Sequence, residues 1–103
     1  MFARVTSFEG APERIDEGLR IYREEVGPWL RDASGFRGFI ALIDREGETG
    51  IGISFWATEE DMAADASRGG ALRDEVAATV QAKLTHLGYF EVAMVESLEL
   101  DDL

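Results

Sequence analysis

The stretch "FRGFIALIDREGETGIGISFWATEEDM", residues 36–62, limits what this chain can fold into more than any other. Two apolar runs, 36–45 and 50–57, flank the polar, glycine-containing "EGETG" at 46–50, an order that predicts a β-hairpin with a loop somewhat longer than the tightest type. In the second run Gly52, Ser54 and Trp56 project from one side, while Ile51, Ile53 and Phe55 project from the other. Thr58, three residues before Asp61, approximates a capping box, so a helix begins almost as soon as the strand ends. Trp56 sits at that junction either as core filling or as a wall of a small-molecule pocket.

The rest of the chain supplies partners for this hairpin. "FARVTSF" at 2–8 alternates as a strand, with Phe2, Arg4, Thr6 and Phe8 on one side and Ala3, Val5 and Ser7 on the other. A helix then starts with Pro12 in its first position and Glu13, Asp16 and Glu17 near its positive end. Ile15, Leu19, Tyr22 and Val26 form its apolar stripe. Gly27–Pro28 predicts a break or kink, with Trp29 and Leu30 as a last turn. After Thr58 a short helix is expected through about Ser67, interrupted at Gly69–Gly70, and Leu72, Val76, Val80 and Leu84 mark a second helical segment by i, i+4 repetition. "GYFEVAMVESLEL" at 88–100 reads as a long strand, with Phe90, Val92 and Met94 alternating against Tyr89, Ala93 and Val95, and 101–103 as a frayed tail. The order β-α-β-β-α-β predicts one α+β domain over 1–103, a ferredoxin-like antiparallel sheet with helices on one face.

Charge narrows the partners. Twenty-one acidic against ten basic residues give −11, and the nine Arg and one Lys form no stripe, which argues against nucleic acid and anionic membrane surfaces. Without cysteine there is neither a disulfide nor a thiolate metal site, and no histidine or acidic cluster suggests a metal. No apolar run is long enough to span a bilayer and no basic-then-apolar leader opens the chain, so a cytoplasmic location is expected. A domain of 103 residues buries only roughly two-thirds of its unfolded surface, yet its strands carry large apolar residues on both faces. The expected remedy is a homodimer joined sheet to sheet.

Over nearly its whole length the chain resembles the antibiotic biosynthesis monooxygenase-like proteins. The resemblance rests on "ARVTSFEGAPERIDEGLRIYREEVGPWL", the "GF" opening the second strand, and the strand-ending Trp56 followed by "ATEEDM". It implies a dimeric α/β barrel and an activity drawn from cofactor-free oxygenation of aromatic polyketides or haem degradation, although many members have no established reaction. The haem-degrading branch uses an Asn, a Trp and a His, and alignment on Trp56 places Ser7, Asp65 and Glu75 at those positions. None matches, and the imidazole that would hold haem iron is missing. The quinone-forming branch uses an Asn and a Trp four residues apart on the third strand, where this chain has Gly52 and Trp56.

The candidates for holding a small aromatic ligand are therefore Trp56 by stacking, with Tyr22, Arg37, His86 and Tyr89 as hydrogen-bonding groups. Arg4 is a further strand-borne cation able to grip an anionic group. Each has a bland alternative: core filling for Trp56, a solvent-facing loop position between helix and strand for His86, and edge-covering or cross-strand pairing for the arginines. "SRGGA" at 67–71 lacks the residues of a phosphate loop and reads as a helix break. No residue is assigned as catalytic, and no cofactor is expected. The leading functional expectation is cofactor-independent oxidation of a planar aromatic or polyketide-type substrate. The alternatives are a non-catalytic ligand-binding or stress-associated barrel, and a structural dimer module with no pocket.

Overall fold

The computed structural model describes residues 1–66, 78 and 82–96. Within them β1 (Phe2–Glu9), β2 (Phe36–Asp44), β3 (Thr49–Trp56) and β4 (Lys83–Glu91) form one antiparallel sheet in the order β2-β3-β1-β4. Helix α1 (Pro12–Ile21), a π-helical turn (Tyr22–Val26) and α2 (Gly27–Arg31) connect β1 to β2, and helix α3 begins at 59–66 after β3. This is the ferredoxin-like α+β arrangement expected from the sequence. The segment containing Ser67, Gly69–Gly70, Leu72, Glu75, Val76 and Val80, and the tail from 97 onward, lie outside the described residues.

The hairpin forms where the sequence put it. Asp44 Oδ1 accepts a hydrogen bond from the Gly47 amide at 3.0 Å, and Glu48 takes the left-handed turn position with φ of 53°. Arg45 then grips Asp16 of α1 with two nitrogens, at 3.0 and 3.1 Å, which ties the loop to the helix. Hydrogen bonding from Arg45 holds the Asp16 carboxyl below its ordinary pKa. At the far end of β3 the cap also forms: the Asp61 amide donates to Thr58 Oγ1 at 3.1 Å. The Asp61 carboxylate, however, accepts from the Thr58 hydroxyl at 2.9 Å. That differs from the usual reciprocal bond to the cap's own amide. Gly35, at φ of +76°, lies so close to this cap that an added Cβ would overlap the Asp61 carboxyl group.

Gly27–Pro28 does not break the helix. The chain widens into the π turn just before it, with the Gly27 amide bonding back to the Tyr22 carbonyl, and Pro28 enters the first turn of α2. A proline there needs no amide donor and escapes the clash with the carbonyl four residues earlier. Gly27 is also required by proximity, since a Cβ would lie 3.1 Å from the Tyr22 carbonyl oxygen.

The last strand is where the structure departs most from expectation. It begins at Lys83 and ends at Glu91, so Leu84 belongs to β4 and not to a helix, and His86 is a strand residue and not a loop one. Residues 92–96 are outside the ladder, with Met94 and Val95 exposed. The ladder ends where Glu91 pairs with Phe2, the first residue of β1, and near its other end it carries a bulge. Leu84 pairs with Phe8 and His86 with Ser7, leaving Thr85 as the extra residue, its hydroxyl donating to the Ser7 carbonyl at 3.2 Å. The bulge puts Leu84 and Leu87 on one face at a spacing of three, which imitates a helical repeat.

Register separates the two faces of the sheet. Phe2, Arg4, Thr6 and Phe8 of β1 share a face with Gly50, Gly52, Ser54 and Trp56 of β3 and with Phe39 and Ala41 of β2, and the helical arm covers it. The opposite face carries Val5, Ile40, Leu42, Ile51, Ile53, Phe55 and Phe90. No described element packs over that second face.

Candidate functional site

Between the helical arm and the covered face lies a cavity of about 140 Å³. Three small residues of β3 create it. Gly50, Gly52 and Ser54 lie at successive inward positions, so the strand contributes almost no side-chain volume along this stretch. Neighbouring rings and branches occupy the space: a Cβ on Gly50 would meet Ile15 at 3.3 Å, and one on Gly52 would meet the Phe39 ring at 3.1 Å. Phe39 in turn stacks on Tyr22, with centroids 4.0 Å apart and planes 20° from parallel. Ile15, Leu19, Val26 and Leu30 form the opposite, helical wall. The lining is apolar apart from a few groups, the usual character of a small-molecule site, and the volume matches that of cavities that admit a single aromatic ring, ~150 Å³.

The polar groups gather at the β1–β3 end of the cavity. Arg4 and Ser54, directly opposite one another in the ladder, both line it and are each 3% exposed. Arg4 Nη2 donates to Asp65 Oδ2 at 2.7 Å, an ion pair between strand and α3 that is buried at both ends. The Arg4 guanidinium also lies 5.7 Å from the centroid of the Trp56 ring. Trp56 Nε1 donates to Ser54 Oγ at 2.9 Å.

Of the residues the sequence singled out, Tyr22 lines the cavity. Trp56 does not. It is fully buried behind Ser54, packed with Val26, Leu30 and Met62 and edge-on to Phe36 at 5.4 Å. Arg37 is exposed near the bulge that opens β2. Tyr89 pairs with Arg4 across β1 and β4 but is half exposed and outside the lining, and His86 is exposed opposite Ser7 on the other face of the sheet. In the sequence Ser54 stands out only as an inward-facing strand residue, and Asp65 only as a mismatch at the Trp position of the haem-degrading branch. The available signal was Arg4 itself: an arginine alternating with Phe2, Thr6 and Phe8 on the covered face requires a buried partner. Among the described residues no group of His, Asp or Glu could hold a metal ion, and no helix is long and apolar enough to cross a membrane.

Comparison with known proteins places this geometry in a family. The family model described as antibiotic biosynthesis monooxygenase matches residues 1–68. Two uncharacterized Mycobacterium tuberculosis proteins, Rv2558 and Rv2557, are 35% and 34% identical over 77 residues, or 75% of this chain. The chain spans about a third of the length of these curated relatives, 33% and 34% respectively. Among solved structures, the monooxygenase from ActVA-Orf6 of Streptomyces coelicolor, in complex with nanaomycin D, superposes with a TM-score of 0.68 at 18% identity, covering 93% of this chain and 92% of that one. SnoaB, a cofactor-independent oxygenase from Streptomyces nogalater, gives 0.66 at 15%, covering 91% and 94%. The haem-degrader MhuD from Mycobacterium tuberculosis gives 0.67 at 18%, covering 94% and 100%. At these identities the structures report a shared fold, while the family match covers most of the chain: it belongs to the antibiotic biosynthesis monooxygenase family.

Proposed function

We propose that the chain is a monooxygenase-type enzyme that takes a small, planar, electron-rich aromatic compound into the cavity and oxidises it with molecular oxygen, without a cofactor. The observation that carries this reading is the cavity itself: apolar walls with a stacked Tyr22–Phe39 pair on one side and the Arg4–Ser54 polar end on the other. Oxidation of a phenol to a quinone needs no other reductant. One oxygen atom of O₂ enters the ring, the second leaves as water, and the substrate supplies all four electrons. The protein's part is to orient the ring, exclude water and favour charge on the substrate oxygen. A ligand larger than one ring would extend toward the cavity mouth. Uptake of one O₂ per 5-hydroxy-1,4-naphthoquinone formed from 1,5-dihydroxynaphthalene, abolished in a folded Gly52→Phe variant, is the expected result. No uptake with any phenolic compound that binds would overturn it.

A second reading, ligand binding without turnover, is favoured by one observation. Arg4 is the charged residue of the described lining, and its Nη2 is already committed to Asp65. The Asn position of the quinone-forming branch is Gly52, pressed against Phe39. Haem is not part of either reading: Asp65 is engaged by Arg4, and Ser7 lies on the opposite face of the sheet.

We further infer that the working unit is a homodimer joined through the open face. Leu42, Ile51 and Phe90 are 51%, 36% and 52% exposed there, around the partly buried Val5, Ile40, Ile53 and Phe55. A two-fold axis would cover this surface with its own copy, burying about 1,500 Å² in total. Sedimentation at micromolar concentration and moderate salt is expected to report twice 11.4 kDa, and a native monomer would sink the inference.

A further inference from the structure

The geometry points to Arg4 and Ser54 as a paired anchor for one oxygen of the ligand, a phenolate or conjugated carbonyl oxygen. This rests on the cavity being a ligand site, as proposed above. Arg4 spends Nη2 on Asp65, but its Nη1 is buried and, among the described residues, has no hydrogen-bond partner. A guanidinium carries N–H donors on both terminal nitrogens, and leaving one buried and unmet is costly. Ser54 is in a complementary state. Its oxygen accepts from Trp56 Nε1, so its own hydroxyl hydrogen is left to donate. Ladder pairing brings the two side chains to neighbouring positions on the covered face, and both belong to the cavity lining.

The surroundings define which oxygen fits. Asp65 compensates the charge of Arg4 at 2.7 Å, so the anchor as a whole is close to neutral. A phosphate or dicarboxylate would bring more charge than the apolar walls tolerate. A single oxygen attached to an aromatic ring brings little charge, and any that develops on it during oxidation meets donors already in place. Trp56 thus contributes through Ser54: its N–H occupies one of the two serine lone pairs and turns the hydroxyl hydrogen away from the indole. In this chain the polar partner that Gly52 cannot provide comes from Ser54, two residues along the same strand, and from Arg4 on the adjacent one.

The test compares 2-naphthol with 2-methylnaphthalene, which differ by hydroxyl against methyl on the same ring system, by calorimetric titration of the full chain. The wild type is expected to bind the naphthol about tenfold more tightly or better. In Arg4→Met/Asp65→Leu, which removes the ion pair and leaves apolar groups of similar length, the preference should fall below about twofold while the methyl compound binds as before. Ser54→Ala, which leaves the ion pair intact, should lose about threefold or more of the preference. Circular dichroism establishes that each variant is folded, and Ser54→Ala alone decides the matter if the double variant is not. Equal binding of both compounds to the wild type, or a preference that survives in the folded variants, overturns the anchor and leaves the cavity as a site. Binding of neither compound removes the ligand-site reading and the anchor with it.

Discussion

One strand serves two surfaces that differ in almost every respect. Inward from β3 come Gly50, Gly52, Ser54 and Trp56, three small residues and then the largest one; outward come Ile51, Ile53 and Phe55, all bulky. The inward series makes a cavity because Gly50, Gly52 and Ser54 withhold volume, and the fully buried indole that follows packs behind the serine, outside the lining. The outward series makes a broad apolar surface because it withholds nothing. A pleated strand keeps these two programmes independent, since a substitution at an even position leaves the odd face unchanged. The covered face is therefore suited to holding a small molecule, and the open face to meeting another flat apolar surface.

The largest expected effect comes from placing a charge on the outward series. If the open face is the two-fold interface proposed above, Ile53→Asp sets an unpaired carboxylate in each copy, a penalty of several kcal/mol. Sedimentation should show complete loss of the dimer at micromolar concentration, and an unchanged mass would mean that the open face is not the interface. Next is Trp56→Ala, which leaves a void in the cluster of Val26, Leu30 and Met62 and should cost about 3–5 kcal/mol in urea unfolding. A loss below ~1 kcal/mol would show that the indole is not the plug its burial suggests. Gly52→Val is smaller and selective. Its branches enter space held by the Phe39 ring, and binding of an aromatic probe should weaken about tenfold, ~1.4 kcal/mol, with the dimer intact. Equal loss of both properties would show that the two faces are coupled.

The smallest effect lies away from both faces, at the Arg45–Asp16 pair. Because Arg45 holds the Asp16 carboxyl below its unfolded value, the pair's contribution is complete above about pH 4 and is lost as pH falls through the lower folded value. The gap in urea midpoint between wild type and Asp16→Asn should narrow from pH 7 to pH 3. A gap that widens on acidification would reverse the assigned direction.

The parts legible in the sequence were those with local causes. Alternation gave the faces of β1 and β3 and the limits of β1, β2 and β3 to within one residue, and Thr58 gave the start of α3, because ladder geometry and capping act within a few residues. Two features resisted. Leu84 continues the i, i+4 series of Leu72, Val76 and Val80 in sequence, and the Thr85 bulge then shifts the alternation of β4, so the start of the strand reads as the end of a helix. The polar end of the cavity is assembled from Arg4, Ser54 and Asp65, residues brought together only by sheet register and the return of α3, with 61 positions between the paired charges. Trp56 does end the inward series, as the alternation requires, but the space it was expected to line is lined by its neighbour Ser54 instead.

The π turn at Tyr22–Val26 makes the helical arm one residue longer than a regular helix of the same reach. Such a surplus is absorbed locally, so α1 and α2 keep their phase on either side of it. Removing Arg23, Glu24 or Glu25, all exposed, would straighten the arm, although Pro28 would then sit in a regular helix and oppose the change by about 3 kcal/mol. Deleting one of them together with Pro28→Ala takes away that opposition. What disappears is the widened turn that Tyr22, stacked on Phe39, opens, while the phase of Ile15 and Leu30 is expected to be kept. Length variation at this point would thus reach the Tyr22–Phe39 contact of the cavity wall and spare the helices on either side, a local change made by a single codon.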